Sequence, residues 1–310
     1  MIRKSLISLA VLSSLLLVAA APSEAGLRDR LRERAAERFK GKIANDKTIG
    51  GREIAYGSDP LQTLSIWQPS AKSAKPAPLI IFVHGGGWKG GDKNNTTGRT
   101  KVAHYTGQGF AFASINYRLV PAATVEQQAA DVANAVAKLI SQARALGIDP
   151  RRIILMGHSA GAHLVSLVGT DPAYFRAARL SESAVADVIA VDGAAYDVPT
   201  QLTSGPRVMH DTYAQAFGDD PARQRALSPT LQAAAPNAPA FLVLHIARED
   251  GAEQAADLAT ALRKAGTNAT VEAIPGKGLK GHMEINRKLG DPDYPATPVV
   301  DAWIKKRIGI

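Results

Sequence analysis

The sequence contains no cysteine. A disulfide framework, a thiol nucleophile and a Cys-ligated metal are therefore excluded, as is a lipid anchor on an N-terminal cysteine. There is no His-Glu-x-x-His run or other metal-ligand motif, so no metal or cofactor is expected. The formal net charge is +9, yet the basic residues do not interleave with aromatics and match no nucleic-acid-binding motif. No nucleic-acid partner is expected. Internal repeats and a second domain boundary are also missing. The apolar stretch from Leu6 to Ala21 is too short to span a membrane comfortably, so no stable membrane anchor is expected.

With 310 residues, 45% of them hydrophobic and 21% charged, the chain reads as an ordinary globular protein rather than a disordered one. Arg3 and Lys4 precede the apolar stretch, and Ser23-Glu24-Ala25 supplies small residues at a cleavage site. Residues 1–25 are expected to be a secretory signal, which places the chain in the periplasm or outside the cell. Residues 26–49 form a basic N-terminal segment, and 26–42 carry seven Lys/Arg against three acids. A solvated helix or frayed tail is the expectation there, with a basic amphipathic helix on an anionic surface as the alternative.

From residue 50 to 310 strands and helices alternate. "PLIIFVH", "DVIAVDGA" and "AFLVLHIA" are continuous apolar runs, as strands buried on both faces would be. Val125, Ala129, Val132, Val136 and Leu139 share one helical face, opened by a Thr124/Gln127 capping box. The pattern predicts an α/β fold, a mostly parallel sheet with helices on both faces. Residues 196–237 interrupt it as a lid-like insertion.

Two glycine-rich turns stand out. Gly157-His158-Ser159-Ala160-Gly161 lies between an apolar strand and an apolar helix, the setting of a nucleophile elbow with Ser159 at its tip. His84-Gly85-Gly86-Gly87-Trp88 follows an earlier strand, and its consecutive glycines leave backbone N–H groups free to approach an oxyanion. No Gly-Lys-Ser/Thr follows, which argues against a phosphate loop. A serine nucleophile needs a base and the base an orienting acid. Of the seven histidines, His282 follows the last predicted strand, in a loop before the final helix, and suits the chain order Ser…acid…His. Asp250 is the expected acid, with Glu249 beside it and Asp192 as alternatives. Asp250 also fits a helix N-cap, with Glu253 three residues on.

Together "HGGGWKGGDK", "INYRL", "DPRRIILMGHSAGAHL", "SPTLQAAAPNAPAFLVLH" and "GHMEINRKLG" resemble the α/β-hydrolase superfamily, in its His-Gly-Gly-Gly esterase/lipase branch. The Trp after the glycines is similar to feruloyl/acetylxylan-type esterases and arylformamidases. The resemblance implies Ser159 as nucleophile with Asp250 and His282 as its partners. It implies oxyanion N–H groups from Gly86, Gly87 and Ala160, and a structural role for Asn116, Tyr117 and Arg118. The implied activity is that of a secreted serine carboxylic-ester hydrolase acting on small or short-chain esters, acylated or feruloylated sugars among them. An amide hydrolase on the same triad and a non-catalytic hydrolase-fold binding protein are the alternatives. "HIARED" lacks the glycine that many relatives carry between this histidine and the acid, which leaves the choice between Glu249 and Asp250 open.

Overall fold

The computed structural model describes residues 51–95, 98–248 and 250–309. The expected signal (1–25), the basic segment (26–49) and Glu249 lie outside the described residues. Among the described residues eight strands form one sheet in the order β1-β2-β4-β3-β5-β6-β7-β8. They are β1 (Arg52–Ala55), β2 (Thr63–Trp67), β3 (Ala77–Val83), β4 (Ala111–Ile115), β5 (Ile148–His158), β6 (Asp187–Val191), β7 (Ala240–Ala247) and β8 (Asn268–Lys277). β1 and β2 run antiparallel at one edge. β3 to β8 are mutually parallel.

Six longer helices cover the sheet: α1 (Arg99–Gly107), α2 (Val125–Ser141), α3 (Ala160–Thr170), α4 (Gly251–Lys264), α5 (Gly278–Lys288) and α6 (Ala296–Ile308). Strand side chains alternate between two cores because the pleat has period two. Leu79, Ile81 and Val83 of β3 join α2, α3 and α4 on one face. Ile80 and Phe82 meet Tyr105 of α1, Ile285 of α5 and Val300 of α6 on the other. This is the α/β-hydrolase fold the resemblance implies.

The expected capping box of α2 is present. Gln127 N donates to Thr124 Oγ1 at 3.3 Å, and Thr124 N to Gln127 Oε1 at 2.9 Å. Between β6 and β7 the insertion folds into four short helices: Val198–Ser204, His210–Phe217, Pro221–Ala226 and Pro229–Gln232. Three of them carry Pro in the first turn, where its missing N–H costs nothing. Asp197 and Asp220 cap two of these by accepting from Thr200 N at 3.1 Å and Ala222 N at 2.9 Å.

One local expectation is corrected. His282 stands within α5 and not in a loop. Glycines 276, 278 and 281 disguise the helix. A Cβ at Gly281 would lie 3.0 Å from both Gly276 Cα and Ile246 Cδ1, so the missing side chain lets α5 descend onto the end of β7.

Candidate active site

Ser159 bridges β5 and α3 with φ 56° and ψ −121°. A non-glycine residue held there stores on the order of 1–3 kcal/mol of strain, so its surroundings must enforce it. Ser159 N donates to Val191 O of β6 at 3.1 Å, and His163 N donates to Ser159 O at 3.1 Å. Cβ atoms at Gly157 and Gly161 would lie 2.2 Å from Gly161 O and Val83 O respectively. Both positions therefore exclude any side chain, and the elbow is as tight as the sequence predicts. The turn also sets Ser159 at the positive end of the α3 dipole, which favours developing negative charge.

The second glycine-rich turn runs against the elbow. A Cβ at Gly85 would lie 2.9 Å from both His158 O and Ser159 Cβ. Gly86, Gly87 and Trp88 have φ of 137°, 59° and 59°. Among the described residues, none accepts a hydrogen bond from the N–H of Gly86, Gly87 or Ala160. The Trp88 backbone is unusual for so bulky a residue, and its contacts over-determine it. Trp88 O accepts from Val120 N at 3.1 Å and Gln128 Nε2 at 2.7 Å. The buried indole packs edge-on against His163, Tyr213 and Phe217. His84 stacks on Tyr117, and Tyr117 Oη donates to His84 O at 2.9 Å.

"INYRL" does serve structure. The Arg118 guanidinium forks onto buried Asp131, with Nε to Oδ2 at 2.9 Å and Nη2 to Oδ1 at 2.7 Å. Asn116 Nδ2 donates to Asp92 Oδ2 at 2.9 Å, and its Oδ1 accepts from Lys93 N at 2.5 Å. The pair fixes the chain that follows the glycines.

His282 Nε2 lies 3.0 Å from Ser159 Oγ, and His282 Nδ1 lies 2.6 Å from Asp192 Oδ2. With Nδ1 donating to the carboxylate, Nε2 is left to accept from the serine hydroxyl. Asp192 follows β6, is fully buried and has φ 46°. Its N–H donates to Leu244 O at 2.8 Å, and its Oδ1 accepts from Ile246 N at 3.2 Å. Arg248 Nε stands 3.4 Å from the same Oδ1. The expectation that Asp250 orients His282 is thus corrected in favour of Asp192. Asp250 Oδ2 accepts from Gln201 Nε2 at 2.7 Å, and Gln201 Oε1 accepts from Ala195 N at 2.9 Å. Asp250 does not cap α4 through its side chain either; it ties the insertion to the end of β7. The signal for Asp192 was its place directly after an apolar strand. The parallel register aligns Val191 with His158, which sets Asp192 beside Ser159 one strand over.

The other histidines near the elbow serve packing. His158 Nε2 donates to His282 O at 3.0 Å, its ring lying 4.5 Å from the His282 ring. Burial, then the neighbouring His282, pushes its pKa well below the usual value, so the ring is neutral. The buried Lys101 donates to Asn286 O, a second tie on α5. His163 Nε2 donates to Leu227 O at 2.8 Å, and its Nδ1 accepts from Trp88 Nε1 at 3.3 Å. Burial pushes the pKa of His163 from 6.5 down to about 4. The unfolded chain therefore binds more protons at this site, and stability falls as pH drops from about 6.5 towards 4, by up to about 3 kcal/mol. His163→Gln keeps one donor and one acceptor without a titrating ring. Chemical denaturation across that window should show a shallower pH dependence for the variant than for the wild type; parallel curves would refute the assignment.

Among the described residues no group of three or more His, Asp or Glu side chains is placed to hold a metal ion.

Esterase LipC of Mycobacterium tuberculosis (strain ATCC 25618 / H37Rv) is 32% identical over 219 residues, covering 67% of this chain and 53% of that protein. Isoprenylcysteine alpha-carbonyl methylesterase ICME of Arabidopsis thaliana is 32% identical over 115 residues, covering 37% of this chain and 26% of that protein. The chain therefore spans about half, or less, of the length of these relatives. Among solved structures, esterase B from Lactobacillus Rhamnosis (HN001) superposes with a TM-score of 0.70 at 21% identity, covering 91% of this chain and 92% of that one. A thermophilic esterase of Thermogutta terrifontis, Est2, gives 0.65 at 22% identity, covering 83% and 92%. At these identities the two structures speak for the fold. The BD-FAE family model matches residues 64–250, from β2 through the elbow to Asp250, and the chain belongs to the BD-FAE family of α/β hydrolases.

Proposed function

We propose that the protein is a serine carboxylic-ester hydrolase with Ser159 as nucleophile, His282 as base and Asp192 as orienting acid. The hydrogen-bonded line from Asp192 Oδ2 through His282 to Ser159 Oγ, at 2.6 and 3.0 Å, carries this reading. His282 Nε2 takes the hydroxyl proton as Oγ adds to the acyl carbon. The imidazolium is stabilised by Asp192, and the N–H groups of Gly86, Gly87 and Ala160 take the charge on the carbonyl oxygen. His282 returns its proton to the departing alcohol as the C–O bond breaks. Water then adds to the acyl-enzyme by the same route in reverse and releases the acid and free Ser159. Export through residues 1–25 belongs to the same proposal. Esterase names among the relatives support the reaction class.

The substrates are small or short-chain esters. Two large side chains of the insertion, Tyr213 and Phe217, are buried against Trp88. Packed there, they are not free to line a tunnel for a long acyl chain. Across p-nitrophenyl esters, turnover should fall steeply beyond butyrate, and a matched anilide should react far more slowly than its ester. A rate that climbs with acyl length would sink the substrate class. Faster cleavage of the anilide would reassign the protein as an amide hydrolase.

A further inference from the structure

Behind the triad lies a second line of charge. Arg248 follows β7 with its guanidinium largely buried. Its Nε stands 3.4 Å from Asp192 Oδ1 and 3.9 Å from Asp250 Oδ1, and its Nη2 donates to Gly193 O. Asp250 is itself buried and held by Gln201 of the insertion. Among the described residues neither Arg248 Nε nor Asp250 Oδ1 has a hydrogen-bond partner, yet both are buried. The guanidinium is therefore shared between two carboxylates at ion-pair distance and belongs wholly to neither. In so poorly solvated a place, charges this close act on one another with far more force than in water.

We propose that Arg248 is a positioning residue that holds Asp192 for His282, and that Asp250 sets how much of its positive charge Asp192 and His282 feel. The inference rests on the proposed triad. Arg248 disfavours the imidazolium of His282, and Asp250 offsets that effect. The two residues therefore act on His282 with opposite sign.

The other groups facing this site are the same in every variant. His158 and the tyrosines 196, 213 and 294 are neutral through burial. Lys101, which acts on His158, is pushed by burial to about 7. It is common to every variant, as are Glu284 and Lys280 on α5.

The test is a pH titration of the His282 ring by NMR on histidine-labelled full-length protein, assigned with His282→Gln. It runs beside the pH profile of kcat/KM on a p-nitrophenyl ester. Asp250→Asn preserves shape and an acceptor for Gln201. It should move the His282 midpoint, and the acid limb of the rate, to lower pH by about half a unit or more. Arg248→Met should move both to higher pH by at least as much. Arg248→Lys should restore most of that shift, and the Arg248→Met/Asp250→Asn pair should return towards wild type. An unmoved midpoint in Asp250→Asn, or shifts of the same sign in Asp250→Asn and Arg248→Met, would overturn the proposal. The ring titration does not depend on turnover. Absence of ester hydrolysis in the wild type would strike the proposed activity alone, and an unmoved ring would strike only the charge line.

Discussion

Ser159→Ala should abolish ester turnover by several orders of magnitude, on the order of 10⁶ where such a nucleophile was removed from another serine hydrolase, with the melting temperature held or raised. In the proposed mechanism the hydroxyl supplies the attacking atom, and among the described residues no other serine stands on a strand-to-helix turn facing His282. Alanine also fits the site: Ser159 makes no side-chain cap to α3, so the helix loses no capping bond. The backbone conformation at φ 56° is strained for either residue. A phosphonate that labels the wild type should leave the variant unmodified, as read by intact mass. Wild-type turnover in a clean preparation of the variant would remove the whole reading.

Asp192→Asn should lower turnover by about 10⁴, the loss seen when the same change leaves the imidazole of a serine protease in the wrong tautomer. Here the amide can present its NH₂ to His282 Nδ1, which pulls the ring proton to Nε2 and blocks acceptance from Ser159 Oγ. Asp250→Asn should cost far less than this, under about tenfold at the optimal pH, because Asp250 lies behind Arg248 and touches neither His282 nor Ser159. Measuring the two variants side by side separates the residue that orients the base from the one that trims a charge. If Asp250→Asn collapses and Asp192→Asn does not, the hydrogen bond at 2.6 Å is not the one that matters for catalysis.

The outcome at these two aspartates shows where sequence reading stops. The elbow was legible because sterics act within a few residues: a strand, two glycines that must lack a Cβ, and a helix. Helix α2 was legible for the same reason, with its cap and its apolar stripe both local. The orienting acid is a matter of which strand lies beside β5. Asp192 and Asp250 both follow apolar strands, and both fall between Ser159 and His282 in chain order. Only the order β5-β6-β7 distinguishes them. Asp250 also offered a misleading local signal, a carboxylate ahead of a helix that it does not cap. Helix α5 was hidden differently. Its Leu279 and Met283 are exposed while Gly281 and Asn286 are buried beside Ile285, so apolar residues do not by themselves mark its buried face and three glycines dominate the reading. The insertion was recognised as an interruption. Its attachment through Gln201 to Asp250 joins residues far apart in the chain, which no short pattern encodes.

The alignment of β5 with β6 has one more meaning. His158 pairs with Val191, and Ser159 N donates to Val191 O. Side chains along a strand alternate faces, so moving β6 by a single residue would carry Asp192 out of line and present its neighbour's opposite face. The slip would leave the apolar run "VIAV" nearly as well buried, since both faces of this strand are covered. Hydrophobic burial therefore tolerates an error that the site cannot. Secondary structure and compactness can return in a misaligned sheet, but the serine, imidazole and carboxylate meet in one alignment only, which makes the appearance of activity a ruler for strand register during refolding.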